Sequence, residues 1–199
     1  MKIGPPDRSG TLNIAAFVYD FEDMQVSTST ITDDGLIFET DNAANAEIVG
    51  VDAEAALRLG DRLSLSAGVV WLPRREFASY RNDRTGDTLS GNLLTRAPEW
   101  TVATALDYVQ PLAGQANIKV HIEYHYRSSF FYTVDNNPLF AQGPFGLLNT
   151  YVQFEPAGGR WYAFASGRNL GGEDYFNQVF LQSSPGYPVA YEAGVGYRF

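Results

Sequence analysis

V-A-Y-E-A-G-V-G-Y-R-F, residues 189–199, is the stretch from which the fold is read. Val189, Tyr191, Ala193, Val195, Tyr197 and Phe199 fall on every second position. Ala190, Glu192, Gly194, Gly196 and Arg198 lie between them. Successive side chains of a strand point to opposite faces, so one face is apolar and the other small or charged. The length matches the roughly 9–11 residues of a transmembrane β-strand, and tyrosines stand near both ends, where membrane strands carry aromatics at headgroup level. A strand at the edge of a soluble sheet would carry the same alternation, so the decision rests on how often the chain repeats it.

It repeats eight times. The first strand runs roughly from Leu12 to Ser27, with Asn13, Ala15, Phe17, Tyr19 and Phe21 on one face and Leu12, Ile14, Ala16 and Val18 on the other. Both faces are apolar enough that register is weakly specified. Asp33-Asp34-Gly35 marks a turn. The second strand spans about Leu36 to Leu59, with an interruption around Asn42 to Asn45. Gly60-Asp61 is a tight connection, and Leu63, Leu65, Ala67, Val69 and Trp71 mark the third strand. Trp100 to Gln110 is the fourth, Asn117 to Arg127 the fifth, Phe145 to Glu155 the sixth and Arg160 to Asn169 the seventh. Short turns (60–61, 111–115, 157–159) alternate with long loops (81–96, 133–143, 171–186). That is the layout of an up-and-down membrane barrel. The expected fold is all-β: an antiparallel meander of about eight transmembrane strands, forming an open, curved part of a barrel with two bare edges.

Composition is compatible with this. The 12 tyrosines, 13 phenylalanines and 19 glycines outweigh a charged fraction of 19%, and mean hydropathy is −0.19, as alternating strands require. No run approaches the ~18 apolar residues of a membrane helix. A net charge of −9 without Lys/Arg clusters argues against nucleic-acid binding. There are no cysteines, so thiol chemistry and disulfides are excluded. The segment after Met1 lacks the apolar run of a signal peptide. For an outer-membrane pattern this predicts a fragment, or a mis-assigned start, of something longer.

Four segments resemble the C-terminal barrel portion of TonB-dependent outer-membrane receptors. They are L-N-I-A-A-F-V-Y-D-F-E-D-M-Q-V (Leu12 to Val26), N-A-E-I-V-G-V-D-A-E (Asn45 to Glu54, with Asp52 where Glu is usual), L-S-G-N-L-L-T-R-A-P-E-W (Leu89 to Trp100) and R-N-L-G-G-E-D-Y (Arg168 to Tyr175, with Gly172 where Asp is usual). They occur in the family's order over nearly the whole chain. The resemblance implies a 22-stranded parent with a plugged lumen, of which residues 1–199 supply the last eight strands. The plug domain and the TonB box are then missing. It also implies uptake of a ligand such as a ferric siderophore, outer-membrane lipid as surroundings, and the barrel-assembly machinery as a partner. TonB would be reached only through the parent's plug. Tyr191, Tyr197 and Phe199 become the C-terminal insertion signal. Alternatives are a self-contained small outer-membrane barrel with a structural or adhesive role, which needs a ladder between Leu12–Val18 and Val189–Phe199, and a soluble lipocalin-like carrier or an outer-membrane hydrolase, the last requiring His121 and Asp107 to converge.

Trp71, Trp100, Tyr108 and Tyr126 are expected at the membrane interfaces. Tyr132, Phe140, Tyr175, Phe176 and Phe180 are loop aromatics within reach of a ligand, although loop aromatics commonly pack the loop itself. His121-x-Glu123-x-His125 is the one spacing suited to a metal. On a strand the three sit about 6.6 Å apart in sequence, too far to converge without a neighbouring strand. No metal, cofactor or catalytic set is expected, and the chain is not expected to be an enzyme. If the terminal aromatic is an insertion signal, deleting Phe199 from a full-length parent lowers the amount of heat-modifiable, membrane-inserted barrel on gels. Unchanged assembly would refute that role.

Overall fold

The computed structural model describes residues 2–3, 8–32, 35–82, 86–180 and 182–199. Eight long strands form one antiparallel sheet: β1 (Arg8–Thr32), β2 (Gly35–Leu59), β3 (Leu63–Ser79), β4 (Trp100–Pro111), β5 (Asn117–Arg127), β6 (Phe145–Glu155), β7 (Trp161–Arg168) and β8 (Ala190–Tyr197). They neighbour one another in chain order, and Lys2–Ile3 pairs back onto Gly10 and Thr11 beside β1. No ladder joins β1 to β8 among the described residues, so the sheet is open. The closure that a self-contained barrel needs is therefore not present there.

Register fixes the two faces. Directly opposed residues share a face, and the pairs Leu12–Ala55, Ala55–Ala67, Ala67–Thr104, Thr104–Tyr124 and Tyr124–Leu148 carry one apolar band from β1 to β6. Val152–Ala165 and Ala165–Ala193 carry it on to β8. The ambiguity of β1 is resolved by its partner. Ile14 opposes Ala53 and joins the apolar band, while Asn13 opposes Glu54 and joins the polar face. Phe17, Tyr19 and Phe21 consequently lie on the polar face, ring beside ring at 5.0 and 6.1 Å.

β2 is continuous through 42–45, and the expected interruption takes the form of register shifts: Met24 faces Ala44 and Val26 faces Asp41, with 42–43 bulged between them. β3 runs through Pro73, Arg74 and Arg75 to Ser79, short of the polar loop that begins at Arg81. It remains paired because Arg75 opposes Ile48 and Phe77 opposes Ala46. Among the described residues, 35–44 pair with β1 alone, so the β1–β2 hairpin extends about ten residues, ~33 Å of strand, beyond the β2–β3 pairing. Of the expected turn at Asp33-Asp34-Gly35, the two aspartates lie outside the described residues, and Gly35 has φ +119°.

The compact core lies at the long-loop end. Val26, Ala44, Ala46, Phe77, Tyr80 and Leu94 are buried together, because the 80–99 loop folds back over the polar face. Backbone bonds from Phe77 to Asn92, Gly91 to Phe77 and Leu94 to Arg75 hold it there. Arg75, 7% exposed, donates to the carbonyls of Ala97 (2.8 Å) and Leu72 (3.1 Å).

The glycines of β8 serve neighbouring aromatics. A Cβ on Gly194 would lie 2.7 Å from Phe164 Cε1, and one on Gly196 would meet the Tyr162 ring. The rings of β7 lie across the backbone of β8 where side chains are missing. Gly194→Ala is expected to cost about 1–2 kcal/mol through overpacking. Gly68→Ala, with open space around it, is neutral or slightly stabilising because alanine loses less backbone entropy on folding. Urea midpoints of the refolded protein in lipid vesicles check the difference in sign. Arg75→Ala leaves two carbonyls without their donor and should cost about 2 kcal/mol, seen as faster proteolysis of the 80–99 loop. The exposed Arg74, paired with Glu47 at 2.9 Å, should cost under ~1 kcal/mol on the same substitution.

Candidate functional site

Above the sheet, the three long loops 80–99, 128–144 and 169–189 meet at one end. The middle loop is a small antiparallel ladder, Phe130–Phe131 against Ala141–Gln142. Asn136, at φ 51°, turns its carboxamide onto the first loop: Leu93 N donates to its Oδ1 at 2.6 Å, and its Nδ2 donates to Leu93 O at 2.9 Å. Asn92 Nδ2 donates to Val134 O at 2.9 Å, and Arg96 N to Phe131 O at 2.8 Å. The third loop is tied to the middle one. Tyr132 donates its hydroxyl to Phe176 O (2.5 Å), and Phe176 N donates to Oε1 of the buried Gln142 (2.8 Å). Arg96 lies 5.2 Å over the Tyr132 ring and donates to Asn177 O at 3.4 Å. Burial pushes the Tyr132 hydroxyl pKa up, partly offset by the nearby Arg96 and Arg127.

The five loop aromatics thus come together, mostly in contact with loop residues. Phe140 meets Phe180 at 5.3 Å, Tyr175 stacks on Phe145 at 4.8 Å, and Tyr132 sits under Arg96. Phe176 is 41% exposed and Tyr187 78%, so these two offer open aromatic surface. The anchor of the third loop was not singled out from sequence. It is Asn169, buried, at φ 49°, donating to the carbonyls of Glu173 (2.8 Å) and Tyr187 (3.0 Å) and accepting from Glu173 N (2.9 Å). Gly172 follows at φ +67°, a left-handed position that glycine adopts without strain. Asn136 is equally inconspicuous in the sequence. Its only sequence signal is the Asn136-Asn137-Pro138 turn composition.

The apolar face carries the other expected aromatics. Trp71 and Trp100 oppose each other and stack at 5.5 Å near the long loops, where the Trp71 indole N–H reaches Glu99 at 3.3 Å. Tyr126 lies at the same end, opposite Val102. Tyr108 lies near the short turns, with its hydroxyl donating to Gln110 at 2.6 Å. Trp100 and Tyr108 are eight residues apart, about 26 Å along the strand. On β8, Tyr191 stands at the long-loop end, and Tyr197 opposes Trp161 at the other, edge-on to Phe199 at 5.2 Å. All three terminal aromatics are exposed.

On the polar face, Lys119 and Arg198 both grip Glu155, at 2.7 and 2.6 Å. Arg58 turns to Asp61 at 3.9 Å, away from Asp52 and Glu54. His121 and Asp107 do converge, with Nδ1 2.7 Å from Oδ1. The other ring nitrogen of His121 lies 3.6 Å from a Glu123 oxygen, where a nucleophilic triad would place a hydroxyl. His125 is likewise 3.6 Å from Glu123. No group of three His, Asp or Glu residues suited to a metal occurs among the described residues.

The comparisons agree with this architecture. The chain covers 98% of its length against the ferric yersiniabactin uptake receptor FyuA from Yersinia pestis, at TM-score 0.74 and 16% identity. Against the ferric-catecholate import receptor Fiu from E. coli K12 it covers 96%, at 0.69 and 15%. Against the copper transporter OprC it covers 100%, at 0.67 and 12%. It spans only 28%, 25% and 30% of those chains. No curated protein matches it in sequence. The family model described as TonB dependent receptor-like, beta-barrel, matches residues 4–170. The chain therefore belongs to the TonB-dependent receptor β-barrel family.

Proposed function

We propose that residues 1–199 form the C-terminal part of the barrel of an outer-membrane receptor for active uptake of a metal chelate such as a ferric siderophore. The observation that carries this reading is the open eight-strand sheet of a family barrel. Among the described residues, β8, and β1 beyond the Gly10–Thr11 stretch covered by Lys2–Ile3, have no outer neighbour, their backbone donors and acceptors need a further strand in a bilayer, and the chain spans 28% of FyuA. The apolar band, ended by Trp71, Trp100 and Tyr126 on one side and Tyr108 on the other, faces lipid. The polar face lines the lumen. Tyr191, Tyr197 and Phe199 are the strand that the barrel-assembly machinery reads. Energy from TonB reaches this wall through a plug belonging to the whole receptor, and the role is transport rather than catalysis. Similarity to FyuA, a ferric yersiniabactin uptake receptor, and to Fiu, a ferric-catecholate import receptor, supports an iron chelate as cargo. Tyr132, Phe140, Tyr175, Phe176 and Phe180 form the loop surface nearest to it, with Phe176 most accessible.

Disrupting the reading frame that carries this chain, in its own host, should abolish uptake of radiolabelled iron from one class of chelate. Complementation should restore it, and removing TonB should abolish it again. Unchanged uptake from catecholate, hydroxamate and carboxylate chelates alike would overturn the assignment of cargo.

A further inference from the structure

We propose that the three long loops open and close as one body, with Asn136 as the clasp. The argument does not depend on which ligand is carried. Each loop is bonded to the next more specifically than its position above the sheet requires. Asn136 pairs both hydrogen-bonding groups of its carboxamide with the backbone of Leu93, as a strand residue pairs with its neighbour. Asn92 returns a bond from the first loop to Val134 of the second. Tyr132 and Gln142 of the second loop then hold Phe176 of the third by its carbonyl and its amide. Arg96 spans all three: its amide binds Phe131, its guanidinium lies over Tyr132 and reaches Asn177.

Linked bonds of this kind have a physical consequence. Releasing Asn136 removes both side-chain bonds to Leu93 and a longer one to Thr133 O, and it loosens the Tyr132–Gln142 segment that orders the third loop, which then rests on Asn92 and Arg96 alone among these contacts to the first. Local opening is then cooperative across the loops, as in other contiguous units that unfold together.

Amide hydrogen exchange on the membrane-embedded protein tests this, read in segments 88–97, 129–142 and 174–186. Asn136→Ala should raise exchange in all three, each by about fivefold or more, the factor expected from losing at least one net hydrogen bond. Asn137→Ala breaks the bond from Leu139 N to Asn137 Oδ1, internal to the middle loop, and should act on 129–142 alone. A rise after Asn136→Ala that leaves 174–186 unchanged would overturn the proposal, and so would no rise. If that variant fails to fold, Tyr132→Phe removes only a hydroxyl at the other junction. Its effect should still reach 88–97, and an effect confined to 174–186 would overturn the proposal equally.

Discussion

Cross-strand register is the constraint on which the rest of this structure depends. In hydrocarbon a backbone amide has no water to turn to, so each must find a partner on a neighbouring strand. Once the pairing is set, a shift by one residue would exchange the faces of an entire strand. The apolar band from Leu12 through Ala67 and Tyr124 to Ala193 is continuous only in the register observed. The stacked Trp71–Trp100 pair, the Trp161–Tyr197 pair and the glycines beneath Phe164 and Tyr162 all follow from it. So does the polar face, where Glu155 collects Lys119 and Arg198 from two other strands.

The same pairing explains why the long-loop end holds the compact core. There β1, β2 and β3 outrun their neighbours, and their polar face no longer adjoins further strands. Ala46 and Phe77 would stand in water without the 80–99 loop, which covers them and exchanges backbone bonds with the edge of β3. Arg75 anchors the far limb of that loop from beneath. The second and third loops then build outward on the first through side-chain amides rather than through apolar packing alone.

The sheet was legible in the sequence because alternation is a local property. β5 and β6 follow the residue pattern from end to end, and the short and long connections fall where Gly, Pro, Asn and Asp cluster. β1 was not fully legible, since both of its faces are apolar and only the partner strand decides which is which. β3 passes Pro73 without breaking because Glu47 and the carbonyls of Leu72 and Ala97 supply partners for Arg74 and Arg75. In the candidate site the aromatics could be named, but the residues that assemble them could not. Asn136 and Gln142 act on backbone groups far away in the chain, Asn169 on Tyr187 as well as on nearby Glu173, and no spacing rule connects Asn136 to Leu93. His121 and Asp107 show the converse. Their meeting follows from register, yet the geometry around them gives a polar wall and no triad.

The account turns on which face meets lipid, and the absence of cysteine from the chain makes a direct measurement simple. Ile122→Cys and Glu123→Cys, adjacent on β5, can each carry a fluorophore in the membrane-embedded protein and be exposed to lipid-soluble and water-soluble quenchers. The account predicts that the label at 122 is quenched from the lipid phase and the label at 123 from water. The reverse pattern would contradict it.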